Sequence, residues 1–502
     1  MKFKTSSWLL FLSGSILFLF FFVVKCLHFK RCDYTSDIFT HFQLSHDWLL
    51  GKPLFYENSF GFHSKFHNYF IDLCMAPFTY LFSVYGLFIA LFGFVIGALY
   101  AVLKMLENQG VSFQTKLLFV IFYASPLTYF TLHNEHYGFH VEMLLIPLCL
   151  LFTASFIQQN KWFWLWAFFI VLVKEDAIAV LWCCISMVYL GQWNQKTEKP
   201  QWLLRNFVRS TLLCVLIFIA GFVWLKYQNN WGATRSSMLF ETLRSQSIKP
   251  ILTSLQYLTL LRIQLTLFVM FIIFLYAGWR FTLGAVLLSA PLLILNFLAG
   301  ILYSLDGALM IKNFFSLLWA PRLSMYWGYW LSALTVALIH QPQVKIHPKL
   351  MRTLSCVLFG IVLFKFQLYF FLNTYVTRFD IKENIKEVFG INVEFELNPE
   401  FKDAEAIAKE LPSNYPVAPM YRVFGAFHHQ DIIWLNALQN AYIPPRMILA
   451  SYNQDEVPEV TKIMKHPVYL LYRDKLHIYT EIEDTIYVMN AKISGQWIHL
   501  KK

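Results

Sequence analysis

Residues 139–191 carry the sequence FHVEMLLIPLCLLFTASFIQQNKWFWLWAFFIVLVKEDAIAVLWCCISMVYLG, and this stretch decides the fold. Apolar runs over 139–157, 162–174 and 176–191 alternate in it with short polar connections. A helix needs about 20 apolar residues to cross the hydrocarbon core of a bilayer, and these runs reach or approach that length. The pattern predicts successive membrane helices joined by tight turns.

Besides Lys161 in one of the connections, five charged or imidazole side chains interrupt this stretch of hydrocarbon. They stand in two short groups, Phe139-His140-Val141-Glu142 and Val173-Lys174-Glu175-Asp176. Ionisable groups inside membrane helices or at their ends are costly, so they indicate a functional site. The alternative is that they only mark the points at which helices leave the bilayer.

The whole chain has the composition of an integral membrane protein. Of its 502 residues, 57% are hydrophobic and 19% are aromatic, and the mean hydropathy is +0.50; such values exclude an ordinary soluble enzyme. The net charge is +11, but the cations are scattered through short loops. This distribution indicates a positive-inside topology and membrane lipids as partners, and it argues against nucleic acid.

The apolar runs predict a mainly α, polytopic membrane helix bundle with about eleven spans. They cover 7–27, 86–105, 116–132, 139–157, 162–174, 176–191, 207–226, 258–278, 281–303, 325–340 and 353–375. The stretch 69–84, which contains Pro77, is short and is expected to lie at the interface or to re-enter. No small-residue cleavage site follows the first run, so we expect an uncleaved helix with its N-terminus in the cytoplasm.

The distribution of cations orients these helices. With the N-terminus inside, every inner connection holds at least one lysine or arginine, as the positive-inside rule requires. With this orientation, three polar segments lie on the outer face. They are the loop over 28–68, the start of the helix at His140 and the turn at residues 174–176. Three polar groups would then converge on one side of the membrane. We expect a multi-pass protein of the cell inner (plasma) membrane.

The composition changes near residue 376, where charges, prolines and short strand-like runs replace the hydrocarbon. This change predicts a transmembrane domain over 1–375 and a small extracytoplasmic α/β domain over 376–502. Residues 403–411 have the pattern of an amphipathic helix. Short buried strands are predicted at 417–418, 432–434, 446–450 and 468–472.

The first outer loop, over 28–68, adds carboxylates and histidines. A carboxylate that follows the first membrane helix can serve as a general base or bind a cation, and a histidine can bind phosphate or metal or shuttle a proton. The alternative is a solvated loop with ordinary surface groups. That second interpretation is the expectation for Asp33, His46, Asp47 and His63.

Lys174 is suited to a phosphate because its ammonium group is a compact point charge. Glu175 and Asp176 could orient this lysine, or their oxygens could hold a divalent metal. The eight cysteines show no metal-ligand spacing, and the chain has no glycine-rich phosphate loop and no H-E-x-x-H motif. The sequence therefore implies no cofactor with certainty, and a divalent metal stays open.

These motifs resemble those of the bacterial integral membrane proteins grouped as the domain of unknown function 2079 family. The family's Val-Lys-Glu-Asp is intact at residues 173–176, and its Phe-His-Pro-Glu is present at 139–142 with valine in place of proline. Of its Asp-Leu-Gly-Ile-Phe-x-Gln stretch the chain keeps Asp37 and Gln43. His67 stands nine residues before an Ala-Pro pair, as in the family. The similarity spans most of the chain.

The resemblance implies an architecture similar to the GT-C class of polytopic glycosyltransferases, which use sugars linked to lipid phosphates. It implies that Asp37 is the catalytic base, with Glu175 and Asp176 as further catalytic residues. The substrate-binding residues would be Gln43, His67, His140, Glu142 and Lys174.

The leading hypothesis is a glycosyltransferase that moves a sugar from a polyprenyl-phosphate donor to an extracytoplasmic acceptor. Two other functions stay open. A lipid or solute transporter would prefer charges at mid-bilayer and inverted repeats, whereas the charges here are predicted at one face and no repeat is visible. A non-enzymatic envelope-assembly protein would bind a partner through its outer domain and would keep its function after Asp37→Asn and Glu175→Gln.

Overall fold

The computed structural model describes residues 4–30, 34, 37–59, 61–65, 67–125, 128, 131–132, 138–195, 200–228, 260–304, 323–339, 399–433, 435, 443–451, 468–473, 476–493 and 495–500. The predicted span over 353–375, the domain boundary at 376 and the loop residue Asp33 lie outside the described residues.

The N-terminal part of the described chain is helical. Its helices are Thr5–Lys30 (α1), Asp37–His46 (α2), Ile71–Phe82 (α3), Tyr85–Asn108 (α4), Phe113–Tyr123 (α5), Leu145–Ile157 (α6), Trp162–Val173 (α7), Ala177–Gln195 (α8), Pro200–Gln228 (α9), Leu260–Ser304 (α10) and Leu323–Leu338 (α11). The loop after α1 contains α2, a 3-10 turn over Asp47–Leu50 and a short hairpin of β1 (Tyr56–Glu57) and β2 (Gly61–Phe62).

Four helices are long and apolar enough to cross a membrane, judged by length and composition over the described residues. They are Thr5–Phe29, Tyr85–Asn108, Leu204–Gln228 and Val269–Leu292. Five further apolar helical stretches are shorter, with 10–17 residues each. The structure thus supports a helical membrane protein, while the number of about eleven spans stays a prediction.

The two predicted runs over 258–278 and 281–303 meet inside α10. The helix is broken at Gly278, whose φ of 81° and ψ of 174° are not helical. Glycine adopts this positive φ without the steric cost that a Cβ would bring. The break therefore falls where the sequence placed the connection between the two runs.

Packing separates the buried helices from those at the surface. A helix that is hydrophobic on every side belongs in the interior, and α6 is buried from Leu145 to Ser155. It packs against α4, α7, α8 and α11. In α9, by contrast, apolar side chains such as Leu212 and Leu216 are 59% and 64% exposed. An exposed apolar surface of this kind suits contact with lipid.

A buried polar knot fixes one end of the bundle. Ser7 Oγ donates to Glu107 Oε2 at 2.5 Å, and Lys116 Nζ donates to Ser7 Oγ at 2.7 Å and to Glu107 Oε2. The knot joins the start of α1, the end of α4 and the start of α5. Because α1 begins at this end, the loop that follows α1 begins at the opposite end of the bundle.

The C-terminal part forms a mixed sheet with two helices. The elements are α12 (Pro399–Glu410), β3 (Pro416–Pro419), β4 (Asp431–Ile432), β5 (Met447–Ser451), β6 (Val468–Arg473), β7 (Leu476–Glu481), α13 (Thr485–Asn490) and β8 (Gln496–Leu500). The strand order is β4-β3-β5-β7-β6-β8, with β3 parallel to β4 and β5 and the other pairs antiparallel. Strands occur at each of the four predicted positions.

The edge strand β4 is held against the first loop by a polar contact that we call the Lys52 clasp. Lys52 Nζ donates to Asp47 Oδ2 at 3.0 Å, to Asn58 Oδ1 at 3.2 Å and to Asp431 Oδ1 at 2.7 Å. Although partial burial opposes it, the two carboxylates raise the pKa of Lys52 above its ordinary value. The clasp therefore keeps a charged lysine between the loop and the sheet.

Gln43 reinforces the same junction. Its Nε2 donates to the Ile432 carbonyl at 3.1 Å, and its Oε1 accepts from the Asn58 backbone N–H at 3.0 Å. Through its nitrogen and its oxygen, the side-chain amide of Gln43 thus links α2 to strand β4 and to Asn58. Nearby, the rings of Phe29 and His428 meet edge to face with centroids 6.2 Å apart. These contacts hold the C-terminal sheet against the end of the helix bundle at which α1 ends.

Labelling with a membrane-impermeant thiol reagent tests on which side of the membrane this junction lies. We expect cysteines placed at Leu54 and Ser413 to be labelled from outside the cell, and a cysteine at Ser112 only from the cytoplasm. All three positions are exposed. The unsubstituted chain is the control, since Cys26 and Cys74 are partly exposed. Labelling of Leu54 and Ser112 from the same side would contradict the predicted topology.

Candidate functional site

Four histidine rings lie around the ring of Tyr69. Their centroids are 5.0 Å (His41), 5.4 Å (His63), 5.0 Å (His67) and 5.6 Å (His140) from that of the tyrosine. The rings of His41 and His140 also meet each other at 4.8 Å. We call this group the histidine cluster. It brings α2, the segment before α3 and the segment before α6 to one place.

Each of three cluster histidines faces a carboxylate from another position in the chain. His41 Nδ1 lies 2.9 Å from Asp72 Oδ2, and His67 Nδ1 lies 2.9 Å from Glu175 Oε1. His63 Nδ1 lies 4.0 Å from Glu57 Oε1. A carboxylate next to one ring nitrogen sets the tautomer and orientation of the imidazole, and so decides which nitrogen can accept a proton.

Lys174 and Glu142 form a buried ion pair beside the cluster. Lys174 Nζ donates to Glu142 Oε1 at 2.6 Å, and the two side chains are only 4% and 1% exposed. Removing charges from water is costly, and such a pair persists because each partner compensates the other. The pair joins the turn before α8 to the turn before α6. The pair therefore brings the positive charge of Lys174 beside the histidines, and the carboxylate of Glu142 balances that charge.

The turn before α6 has a backbone that requires glycine. Gly138 has a φ of +67°, and a Cβ at this position would lie 2.5 Å from the Tyr34 ring. Glycine adopts this φ easily and allows the close approach. The next residues lead into a 3-10 turn over Val141–Leu144, at whose start His140 is the cap. The local sequence thus turns His140 and Glu142 inward.

Burial controls the charge of His140. Together with the nearby His41 and Lys174, burial lowers the pKa of His140 well below its ordinary value. Its Nε2 lies 3.4 Å from the Tyr69 hydroxyl. A neutral imidazole at this position exchanges hydrogen bonds with the tyrosine or with a bound ligand instead of adding a fixed positive charge.

The structure unites most of the site residues predicted from the sequence. His67, His140, Glu142, Lys174 and Glu175 lie in or beside the cluster. Asp176 follows directly in the turn and is buried. Asp37 is half-buried in the first turn of α2. Gln43 instead bonds to the Ile432 carbonyl and the Asn58 N–H, next to the Lys52 clasp.

The sequence analysis missed four members of the site: His41, Glu57, Tyr69 and Asp72. One signal was available, because Asp72 is a carboxylate inside the short apolar stretch 69–84 and is fully buried. The rule that drew attention to Glu142 and Lys174 applies equally to it. Tyr69 and His41 carried no such signal, since their roles depend on what packs against them.

Two expectations for the first loop are corrected. Asp47 was expected at a solvated surface, but it is buried, with 6% of its surface exposed, and accepts a hydrogen bond from Lys52. His63 was also expected there, but its ring stacks on Tyr69. Local sequence cannot show this, because α2 and the hairpin fold the loop back onto the helices.

A divalent metal at Glu175 and Asp176 stays a prediction from the sequence. No group of three or more histidine, cysteine or acidic side chains among the described residues could hold a metal ion. Glu175 already faces His67 through one oxygen and accepts from the Asn68 N–H through the other at 3.2 Å. Its carboxylate thus positions the histidine.

Comparisons with protein-family models, curated proteins and solved structures gave no match for this chain. The similarity to the domain of unknown function 2079 family therefore stays an expectation based on its motifs.

Proposed function

We propose that this protein is a membrane glycosyltransferase that moves a sugar from a polyprenyl-phosphate donor to an acceptor outside the cytoplasm. One observation carries the proposal. The histidine cluster and the buried Lys174–Glu142 pair form a single acid–base site at one end of an apolar bundle, next to lipid-facing helices. A donor with a lipid tail and a phosphate needs an apolar surface for the tail and a polar site for the phosphate.

The chemistry of the reaction matches the groups at hand. A sugar that leaves a phosphate requires stabilisation of the charge on the leaving oxygen, and the acceptor must lose a proton. Lys174 is the cation beside the cluster, and a bound phosphate would share its ammonium with Glu142. Neutral imidazoles supply proton acceptors and hydrogen-bond donors. The resemblance assigns the role of base to Asp37.

The C-terminal sheet supports the proposal as a cover. A transferase must keep water from its activated donor, and closing a site over the substrate excludes water. The Lys52 clasp and Gln43 seat the sheet edge on the same loop that supplies His63 and His67. The sheet thus contributes to the enclosure without supplying a catalytic group.

A transporter is the second candidate, and the paired acids and imidazoles favour it. Chains of carboxylates and histidines inside a bundle are what proton-coupled pumps use. His41–Asp72 and His67–Glu175 are two such pairs, and the Lys174–Glu142 ion pair lies beside them. Their position at one end of the bundle, instead of its middle, favours the enzyme.

Comparing lipid-linked sugars and envelope glycans by mass spectrometry, in the wild type and a deletion strain, tests the proposal. We expect one polyprenyl-phosphate sugar to accumulate in the deletion strain and to disappear when the gene is returned. A gene carrying Glu175→Gln should fail to restore the wild-type pattern, because His67 loses its carboxylate. Lys409→Met, in an exposed pair with Glu405, is the matched control and should restore it.

Two results would contradict the enzyme. No accumulation, together with an imbalance of a solute or of protons across the membrane, would indicate the transporter. Full function of Glu175→Gln would indicate an envelope-assembly protein that acts through its C-terminal part.

A further inference from the structure

We propose that His41, held by Asp72, accepts the proton of the acceptor in this reaction, in place of Asp37. This inference rests on the proposed function and deepens it. Neither His41 nor Asp72 stands out in the sequence motifs. The two are brought together from α2 and α3, with His41 in the histidine cluster.

The geometry of the pair is that of an oriented base. His41 Nδ1 lies 2.9 Å from Asp72 Oδ2, and the side chains are 2% and 0% exposed. When Nδ1–H donates to the carboxylate, Nε2 keeps its lone pair and can accept a proton. This is the tautomer that a general base requires.

Asp72 is also suited to stabilise the imidazolium that forms. Its Oδ1 has no hydrogen-bond partner among the described residues. A buried carboxylate with so few partners gains most when a positive charge arrives next to it. Asp72 is then a positioning residue, because it acts only through His41.

The surroundings of His41 contain no described lysine or arginine in direct contact. The titratable groups that face the pair are Tyr69 and His140 beside His41, and His63 and Cys74 beside Asp72. Imidazoles, a phenol and a thiol are not permanent cations, so none of these neighbours holds a fixed positive charge beside His41. His140 and the Tyr69 hydroxyl already lie within reach of each other.

Asp37 occupies a less suitable position for this step. It lies one helical turn before His41 on the same face of α2, since residues four apart are neighbours on a helix. It is half-buried in the first turn of α2. This placement suits Asp37 for orienting the acceptor, and His41 lies deeper, next to the other histidines.

The proposed reaction conserves atoms and charge. The acceptor hydroxyl oxygen attacks C1 of the sugar, and the bond between C1 and the phosphate oxygen breaks. The electron pair of that bond stays on the phosphate. The hydroxyl proton moves to His41 Nε2, and it leaves later to the phosphate or to water. The step needs no oxidant or reductant.

Two measurements on the full chain test the pair. Each variant is expressed in the deletion strain, whose membranes hold the accumulated donor. The rate at which this donor is consumed is then measured in membrane vesicles. We expect His41→Gln to slow this loss by about 10²–10⁴-fold, the usual share of a general base. Asp72→Asn should slow it by at least about 10²-fold, Asp37→Asn by less than about ten-fold, and His46→Gln not at all.

The second measurement reads the tautomer and does not require activity. In protein labelled with ¹⁵N-histidine, the His41 signal is identified by its loss in His41→Gln. We expect the Nδ1–H tautomer in the wild type and the Nε2–H tautomer in Asp72→Asn, because an asparagine amide can donate to Nδ1. A purely structural Asp72 would leave the tautomer unchanged.

The two measurements separate failure of the pair from failure of the enzyme. If His41→Gln consumes donor at the wild-type rate while Asp37→Asn does not, the base is Asp37 and the inference is wrong. If the wild-type chain consumes no donor, the proposed function fails. The role of His41 as the base then fails with it, whereas Nε2–H in the wild type would overturn the tautomer assigned to His41 whatever the reaction.

Discussion

Replacing Lys174 by methionine is expected to abolish sugar transfer and to lower the free energy of unfolding by about 3–5 kcal/mol. Lys174 Nζ and Glu142 Oε1 are 2.6 Å apart in an environment that exposes almost none of either side chain. Without the lysine, Glu142 is left as a buried charge with no compensation. Its Oε2 has no hydrogen-bond partner among the described residues. Thermal unfolding of the purified protein and donor turnover measure the two losses separately.

The double variant Lys174→Met with Glu142→Leu separates stability from chemistry. Removing both charges of a buried pair is often neutral or stabilising, so we expect the melting temperature to return close to that of the wild type. Turnover should stay absent, because no cation remains beside the cluster for the phosphate. If the double variant recovers turnover as well, Lys174 has a structural role only.

Replacing Lys52 by methionine is expected to release the C-terminal sheet from the first loop. The variant loses three hydrogen bonds and leaves the carboxylates of Asp47 and Asp431 facing each other. Lys52 is 19% exposed, so solvent screens part of this interaction, and a loss of about 1–2 kcal/mol in docking is expected. Amide hydrogen exchange in β4 should then be about ten-fold faster, and turnover should fall as water enters.

Lys409→Met is the matched control for this variant. Lys409 pairs with Glu405 at 3.1 Å, but the side chains are 71% and 43% exposed. Exposed pairs spaced four apart on a helix contribute less than about 0.5 kcal/mol, so exchange in β4 should not change. Equal exchange rates in Lys52→Met and in the wild type would show that Gln43 and the apolar contacts suffice to hold the sheet.

The class of the protein and many of its helices were determined by local sequence. Apolar runs such as 86–105 become helices because the hydrocarbon core leaves backbone hydrogen bonds no other partner. The break at Gly278 was also local, since only glycine adopts that backbone conformation easily. The importance of Glu142 and Lys174 followed from the cost of charge among apolar residues.

The assembly of the site was decided only by the tertiary structure. His41, Tyr69 and Asp72 acquire their roles from partners on other segments, and no periodicity in the chain encodes which imidazole meets which carboxylate. Asp47 and Lys52 likewise form a clasp only because Asp431 arrives from 379 residues beyond Lys52. The sequence by itself determined that costly polar groups are present in this membrane protein. Which of them compensate one another depends on distances that exist only after the helices pack.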